Sequence, residues 1–324
     1  MQLAILSDIH YAGPGEQRRV GYPVAHIRNR LQRAAVHHYR KYFWHRDPFA
    51  HNYLLDQFIS KASRSDLVIA NGDYSCDSAA IGVADDAARE SVSECLEKLR
   101  GAFPGKFEAV VGDHEIGKKP LGSSEGGLRV ESFSRLQTEL ALKPFWTREA
   151  GRYLLVGVTS TLIALPVYSA EAIPVELERW EELRREHLDQ IRELFTRLPS
   201  QQRVLLFCHD PTALPFLWRE IVVREKIDQI ERTIIGHLHS RLIFFKSKLL
   251  AGMPTIGFLG HTSKRLSRAL REARHWKPFK VLLCPSLSGI ELLKDGGFYN
   301  ADLNPPSGEL EFVWNPLPWA KSKH

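Results

Sequence analysis

The stretch Met1-Gln-Leu-Ala-Ile-Leu-Ser7-Asp8-Ile9-His10 decides the fold. A short apolar run that stops abruptly at Asp-x-His predicts a buried strand delivering two metal-type side chains at its C-terminal tip. That is where an α/β sheet places its chemistry. Side chains at i and i+2 of a strand share a face, so Asp8 and His10 are expected to converge on one ion. Alone, the same tripeptide also describes a turn-capping Asp beside a surface His.

Four further apolar runs end in the same way: Leu67-Val-Ile-Ala-Asn-Gly72-Asp73, Phe107-Glu-Ala-Val-Val-Gly112-Asp113-His114-Glu115, Val204-Leu-Leu-Phe-Cys-His209-Asp210 and Thr233-Ile-Ile-Gly236-His237-Leu238-His239. A glycine immediately precedes the ligand-type residue in three of them, which lets the backbone turn sharply and come close to an ion. All five blocks have the same strand-then-loop context, and shared context is what separates a motif from a chance match.

These blocks, in this order, resemble the calcineurin-like metallophosphoesterases, whose pattern is Asp-x-His, Gly-Asp, Gly-Asn-His-Asp/Glu, His, then Gly-His-x-His. The resemblance spans most of the chain. It implies an α/β fold, a four-layer sandwich of two mixed sheets flanked by helices, with the site at the C-terminal strand ends. It further implies a hydrolase of phosphoric esters or anhydrides that uses two divalent ions. Asp8, His10, Asp73 and His239 would hold one ion; Asp73 would bridge to a second held by Asp113, His209 and His237. His114 would sit beside the scissile phosphate as acid or electrostatic partner, a role worth about 10²–10⁴-fold.

Position 113 departs from the family, which usually has Asn there. Either side chain offers an oxygen at the same reach. The charge changes, however: two divalent ions against Asp8, Asp73 and Asp113 leave one positive charge where Asn would leave two. A weaker net field predicts a less acidic activated water and a preference for oxygen-seeking manganese, with iron and zinc as alternatives.

The remaining composition is that of an ordinary globular chain, with 324 residues, 44% of them hydrophobic and 25% charged. Because the five blocks must meet, one domain over 1–324 is expected, with a basic and aromatic insertion at about 11–52 and a C-terminal extension at about 247–324 that completes the second sheet. The apolar run 3–6 is too short for a signal-peptide core, and no stretch approaches about 18 consecutive apolar residues. Cys76, Cys95, Cys208 and Cys284 are scattered without a C-x-x-C pair, so they are read as small buried hydrophobes in a reducing, cytoplasmic setting. Cys208 should face away from the metal side by strand alternation.

A formal net charge of +6 and a pI near 9.1 favour a large anionic partner. Two stretches carry much of it. One, at about 18–46, mixes bases with aromatics and predicts a helix over about 24–44. The other, at 264–280, predicts a basic amphipathic helix with Arg268 and Arg271 on one face and Leu266, Leu270 and Ala273 on another. From these, Arg33, Arg40, Lys41, Arg268 and Arg271 are expected at the mouth of the site. Lys118 and Lys119, in the loop after His114, could meet a phosphate. The Gly-x-x-x-x-Gly-Lys-Ser/Thr order of a P-loop is absent. The expected substrate is a phosphodiester or pyrophosphate on an amphiphile at the inner membrane surface, similar to the UDP-diacylglucosamine pyrophosphohydrolases of this superfamily. A nuclease on DNA or RNA is the second reading, and a non-catalytic scaffold the third. Asp210 is either an orienting partner for a histidine or a turn starter.

Overall fold

The computed structural model describes residues 1–19, 30–45, 47–119, 125–255, 261–304 and 310–319; the side chains of Gln32, Lys41 and 261–266 are not among those described. Strand β1 (Gln2–Leu6) pairs in parallel with β2 (Leu67–Ala70), which pairs in parallel with β3 (Phe107–Ala109). On its other side β1 meets β9 (Gly297–Asp302) antiparallel, and β9 meets β10 (Phe312–Pro316) antiparallel. The second sheet runs β4 (Phe145–Ala150), β5 (Tyr153–Val158), β6 (Arg203–Cys208), β7 (Ile230–Ile235) and β8 (Val281–Leu283), parallel except for β4.

Period-two alternation explains why the sheets stack. Leu3, Ile5, Leu67 and Ile69 point one way and cluster with Tyr153, Leu155, Leu205 and Phe207 from the other sheet. Their neighbours Ala4, Leu6, Val68 and Ala70 point the other way, onto helices. Both faces of the parallel strands are therefore buried, as such sheets require, and each fully buried Leu or Ile contributes about 1.5–3 kcal/mol. Cys208 falls on the helix-facing side and is buried with its thiol free, as the alternation predicts.

The helices follow their sequence signals. Asp85 caps the Asp86–Ala102 helix by accepting the Ala88 N–H, and Val92, Cys95, Leu96 and Leu99 form its buried stripe. The Leu177–Arg197 helix, expected from 174, is preceded by a 3-10 turn over Pro174–Glu176 and buries Trp180, Leu188, Ile191 and Phe195. In the basic insertion a helix spans Arg30–Tyr42; the expected first turns, before residue 30, lie outside the described residues. The second basic helix covers His261–Glu272, with Leu270 buried and Arg268 and Arg271 exposed.

One expectation is corrected. The C-terminal strands do not all complete the second sheet: β8 joins it, whereas β9 and β10 extend the first, along the free side of β1. Hydrophobic patterning shows that a strand exists and which residues share a face, but not which open edge it will find. No helix among the described residues is long and apolar enough to cross a membrane.

Candidate metal centre

The five ligand-type blocks sit at the C-terminal ends of β1, β2, β3, β6 and β7, so both sheets deliver residues to one place. Two groups result. Asp8, His10, Asp73 and His239 each offer a ligand atom within 4.8 Å of one another, and so do Asp73, Asp113, His209 and His237. Asp73 belongs to both. The arrangement fits a dinuclear metal site with Asp73 between the ions.

The way Asp8 and His10 converge differs from the expected strand alternation. β1 ends at Leu6, and both residues have left-handed backbone, with φ of 49° and 50°. Asp73, His237 and His239 are left-handed as well, at 58°, 61° and 57°. Asp and His tolerate this region better than most residues, yet each such residue costs of order 1–3 kcal/mol. Strain gathered on five residues of one cluster marks a site whose geometry matters more than its local comfort. Two glycines make room for it: Gly72 takes φ +91°, and a Cβ on Gly112 would collide with Asp73 Oδ1.

Neighbouring groups aim the rings. His209 Nδ1 lies 2.6 Å from the Asn71 carbonyl, which turns Nε2 toward Asp73 Oδ2 at 3.1 Å and Asp113 Oδ1 at 3.3 Å. His10 Nδ1 lies 3.2 Å from the Ser75 carbonyl, leaving Nε2 buried without a hydrogen-bond partner; His239 Nδ1 is in the same condition. The His237 amide donates to both oxygens of Asp8, at 3.0 and 3.1 Å, and Ser7 Oγ donates to Asp8 at 2.5 Å. A hydrogen bond on the far nitrogen is the usual way a metal-binding imidazole is held in its tautomer.

The electrostatics fit cations. Burial lowers His10 to about 3 and holds His239 well below its ordinary value, so both rings are neutral and able to ligate. Burial also pulls His209 down, but Asp73 and Asp8 outweigh it and push the ring well above the usual value. Burial raises the fully enclosed Asp8, despite His209. Three carboxylates with orphaned ring nitrogens between them form a pocket short of positive charge, which two divalent ions would supply.

His114 belongs to neither group. Its amide donates to Asp73 Oδ1 at 3.1 Å, its Nε2 is 3.8 Å from Asp73 Oδ2, and its ring lies 4.9 Å from that of His10. It faces a cavity of about 160 Å³ that His10, His239, Arg40, Trp44 and His45 also line. Of the basic residues expected at the mouth of the site, Arg40 lines this cavity. Arg33, Arg268 and Arg271 are exposed and do not line that cavity; the Lys41 side chain is outside those described. Lys118 places its Nζ 2.5 Å from Asp113 Oδ2. The Lys119 amide donates to Glu171.

Sequence reasoning missed two features. Glu115 is fully buried and accepts the amides of Asp73, Tyr74 and Gly112. Its only signal was its place three residues after a glycine at a helix start, the capping-box spacing. Trp44 sets its ring 4.9 Å from that of His239, and no sequence pattern announces that contact. Asp210 acts as the turn starter of the two readings: it accepts from the Thr212 amide and from Tyr168, while its 4.0 Å from His237 Nε2 is beyond hydrogen-bond reach.

No family model matches the chain, and no curated protein matches it significantly. Among solved structures it superposes on a purple acid phosphatase from seeds of yellow lupin (Lupinus luteus), with a TM-score of 0.38 and 13% identity, over 74% of this chain and 38% of the other. It also superposes on the phosphopantetheinyl hydrolase of Mycobacterium tuberculosis, with a TM-score of 0.35 and 15% identity, over 74% of this chain and 83% of the other. The chain thus spans well under half the length of the lupin phosphatase chain. At these scores neither likeness bears on what this chain does.

Proposed function

We propose that the chain is a dinuclear metal-dependent phosphoester hydrolase of the metallophosphoesterase type. The observation that carries this is the pair of four-residue groups sharing Asp73 at the strand ends of two sheets. A pair of bound divalent ions would supply Lewis acidity and an activated water for attack at phosphorus. Asp73 spaces the two positions, and Asp8 and Asp113 give each one a further anionic oxygen. His114, beside Asp73 but in neither group, faces the cavity where a phosphoryl group would lie and acts on its charge or on its leaving oxygen. Each group pairs two hard carboxylates with two imidazoles, a mixed set that suits manganese, with iron and zinc as alternatives.

For the substrate, an anionic diester or pyrophosphate on an amphiphile at the inner face of a membrane is the reading we favour. The Arg30–Tyr42 helix supports it: it brings Arg40 to the cavity and exposes Leu31 at 83% and Tyr42 at 60% of their surface alongside exposed bases. Apolar and cationic side chains on one exposed helix suit an anionic interface.

The deciding experiment assays phosphomonoesters, diesters, UDP-linked lipids and DNA with manganese, with a His114 variant as control. Turnover that needs both metal and His114 supports the hydrolase; no turnover on any substrate with manganese, iron or zinc overturns it. Salt-sensitive binding to DNA without binding to anionic liposomes would replace the membrane reading by the nuclease.

A further inference from the structure

We infer that Lys118 is an electrostatic positioning residue that neutralises Asp113, so that the ion beside it experiences the field a neutral carboxamide at position 113 would give. This rests on the dinuclear reading above. The two oxygens of Asp113 divide their partners. Oδ1 faces His237 Nδ1 at 2.9 Å and His209 Nε2 at 3.3 Å, on the ligand side, while Oδ2 faces Lys118 Nζ at 2.5 Å. The Asp113 side chain is 3% exposed and that of Lys118 25%. The pair is therefore mostly withdrawn from water, where a full charge acts at longer range than on a surface.

The backbone is built to bring the ammonium there. The helix Asp113–Ile116 lasts one turn and stops at Gly117, whose φ of 104° reverses the chain; a Cβ at Gly117 would collide with the Gly127 carbonyl. The Gly117 amide donates to the Asp113 carbonyl and the Lys118 amide to the Ala80 carbonyl, so the backbone at Lys118 is fixed on both sides of the turn. From that position the side chain lies back along the short helix to its first residue.

The charge count changes accordingly. Two divalent ions carry four positive charges and three carboxylates remove three, which leaves the centre one short of a site with a neutral residue at 113. Lys118 returns that one. With residue 118 counted, the field at the centre becomes that of a neutral residue at 113, and the choice among manganese, iron and zinc falls to the mixed carboxylate and imidazole ligands.

The test is a double-mutant cycle on the whole chain, reading metal rather than turnover. Asp113→Asn, Lys118→Met, the double variant and Lys118→Arg are stripped of metal and checked for thermal unfolding. Each is then titrated with manganese by calorimetry, with bound metal counted by elemental analysis. Asp113→Asn removes the carboxylate that faces the ammonium and is expected to weaken the poorer site about tenfold or more, the scale of coupling within one ion-pair network. Lys118→Met is expected to tighten it several-fold, Lys118→Arg to leave it near the parent, and the double variant to recover most of the Asp113→Asn loss. If the double variant binds as weakly as Asp113→Asn, the inference is wrong. Unchanged metal binding in Lys118→Met with a raised KM would also overturn it and make Lys118 a contact for substrate phosphate. A parent chain that takes up no pair of ions would sink the dinuclear reading as well, whereas two ions with additive variants would remove only the role of Lys118.

Discussion

Glu115 Oε2 accepts the backbone N–H of Asp73 at 3.0 Å. The same oxygen accepts the Gly112 amide, and Oε1 accepts that of Tyr74 at 2.7 Å, so one buried carboxylate ties the loop after β2 to the loop after β3. Glu115→Gln offers an N–H where an acceptor is needed and leaves at least one buried donor unsatisfied, at a cost of about 1–3 kcal/mol. Thermal unfolding should show that loss in the metal-free protein, and elemental analysis should show reduced occupancy of both positions, because Asp73 serves both.

Removing Asp73 itself separates the two groups from each other. Asp73→Asn is expected to disturb both positions, whereas His239→Ala should empty mainly the one shared with Asp8 and His10. Metal counts per chain read the difference. Equal loss from the two variants would show that Asp73 does not bridge.

His114→Ala should retain its metal and lose about 10²–10⁴-fold in turnover, the range for a positioned acid or base. Single-turnover rates and metal content measured on the same preparation decide the point. Metal lost along with activity would make His114 a ligand, against its absence from both groups.

Away from the centre, His187 predicts an acid limb in stability. Burial lowers its pKa from 6.5 to about 3, with Nε2 accepting the Thr159 amide at 3.1 Å. The folded ring stays neutral while the unfolded one takes up a proton below about 6.5. The stability it contributes is therefore complete above that pH and falls as pH drops toward 3, at up to about 1.4 kcal/mol per pH unit. Denaturant unfolding between pH 7 and pH 4 measures the slope, and His187→Gln should flatten it.

How much of this was legible beforehand depends on range. The strand runs and the ligand blocks were legible because each is local: an apolar run that fills both faces of a parallel strand, then a sharp polar stop. Asp8 and His10 were rightly brought together for a reason that does not operate, since left-handed turns after Leu6, and not strand alternation, make them converge. Edge choice was not legible. The segment around Phe298 reads equally well beside either sheet, and only the packed structure shows that β1 takes it. Nor was the ion pair of Asp113 and Lys118, because a glycine-rich stretch after a one-turn helix does not announce the direction in which its lysine will point.

The pairing of β1 with β9 also has a consequence for the order of events during synthesis. β1 meets β2 soon after both have emerged, but the strand that covers its other side contains Tyr299 and Ala301, which pair with Ile5 and Leu3. The Leu287 amide that reaches the carbonyl of Ser7 comes almost as late. At roughly 5–20 residues per second, the ribosome makes that edge wait on the order of fifteen seconds to a minute. During that interval β1 carries a bare row of donors and acceptors, which invites pairing with another chain. The nascent protein is therefore most in need of a chaperone just before β9 and β10 appear, and a truncation before residue 297 should turn that brief exposure into a permanent one.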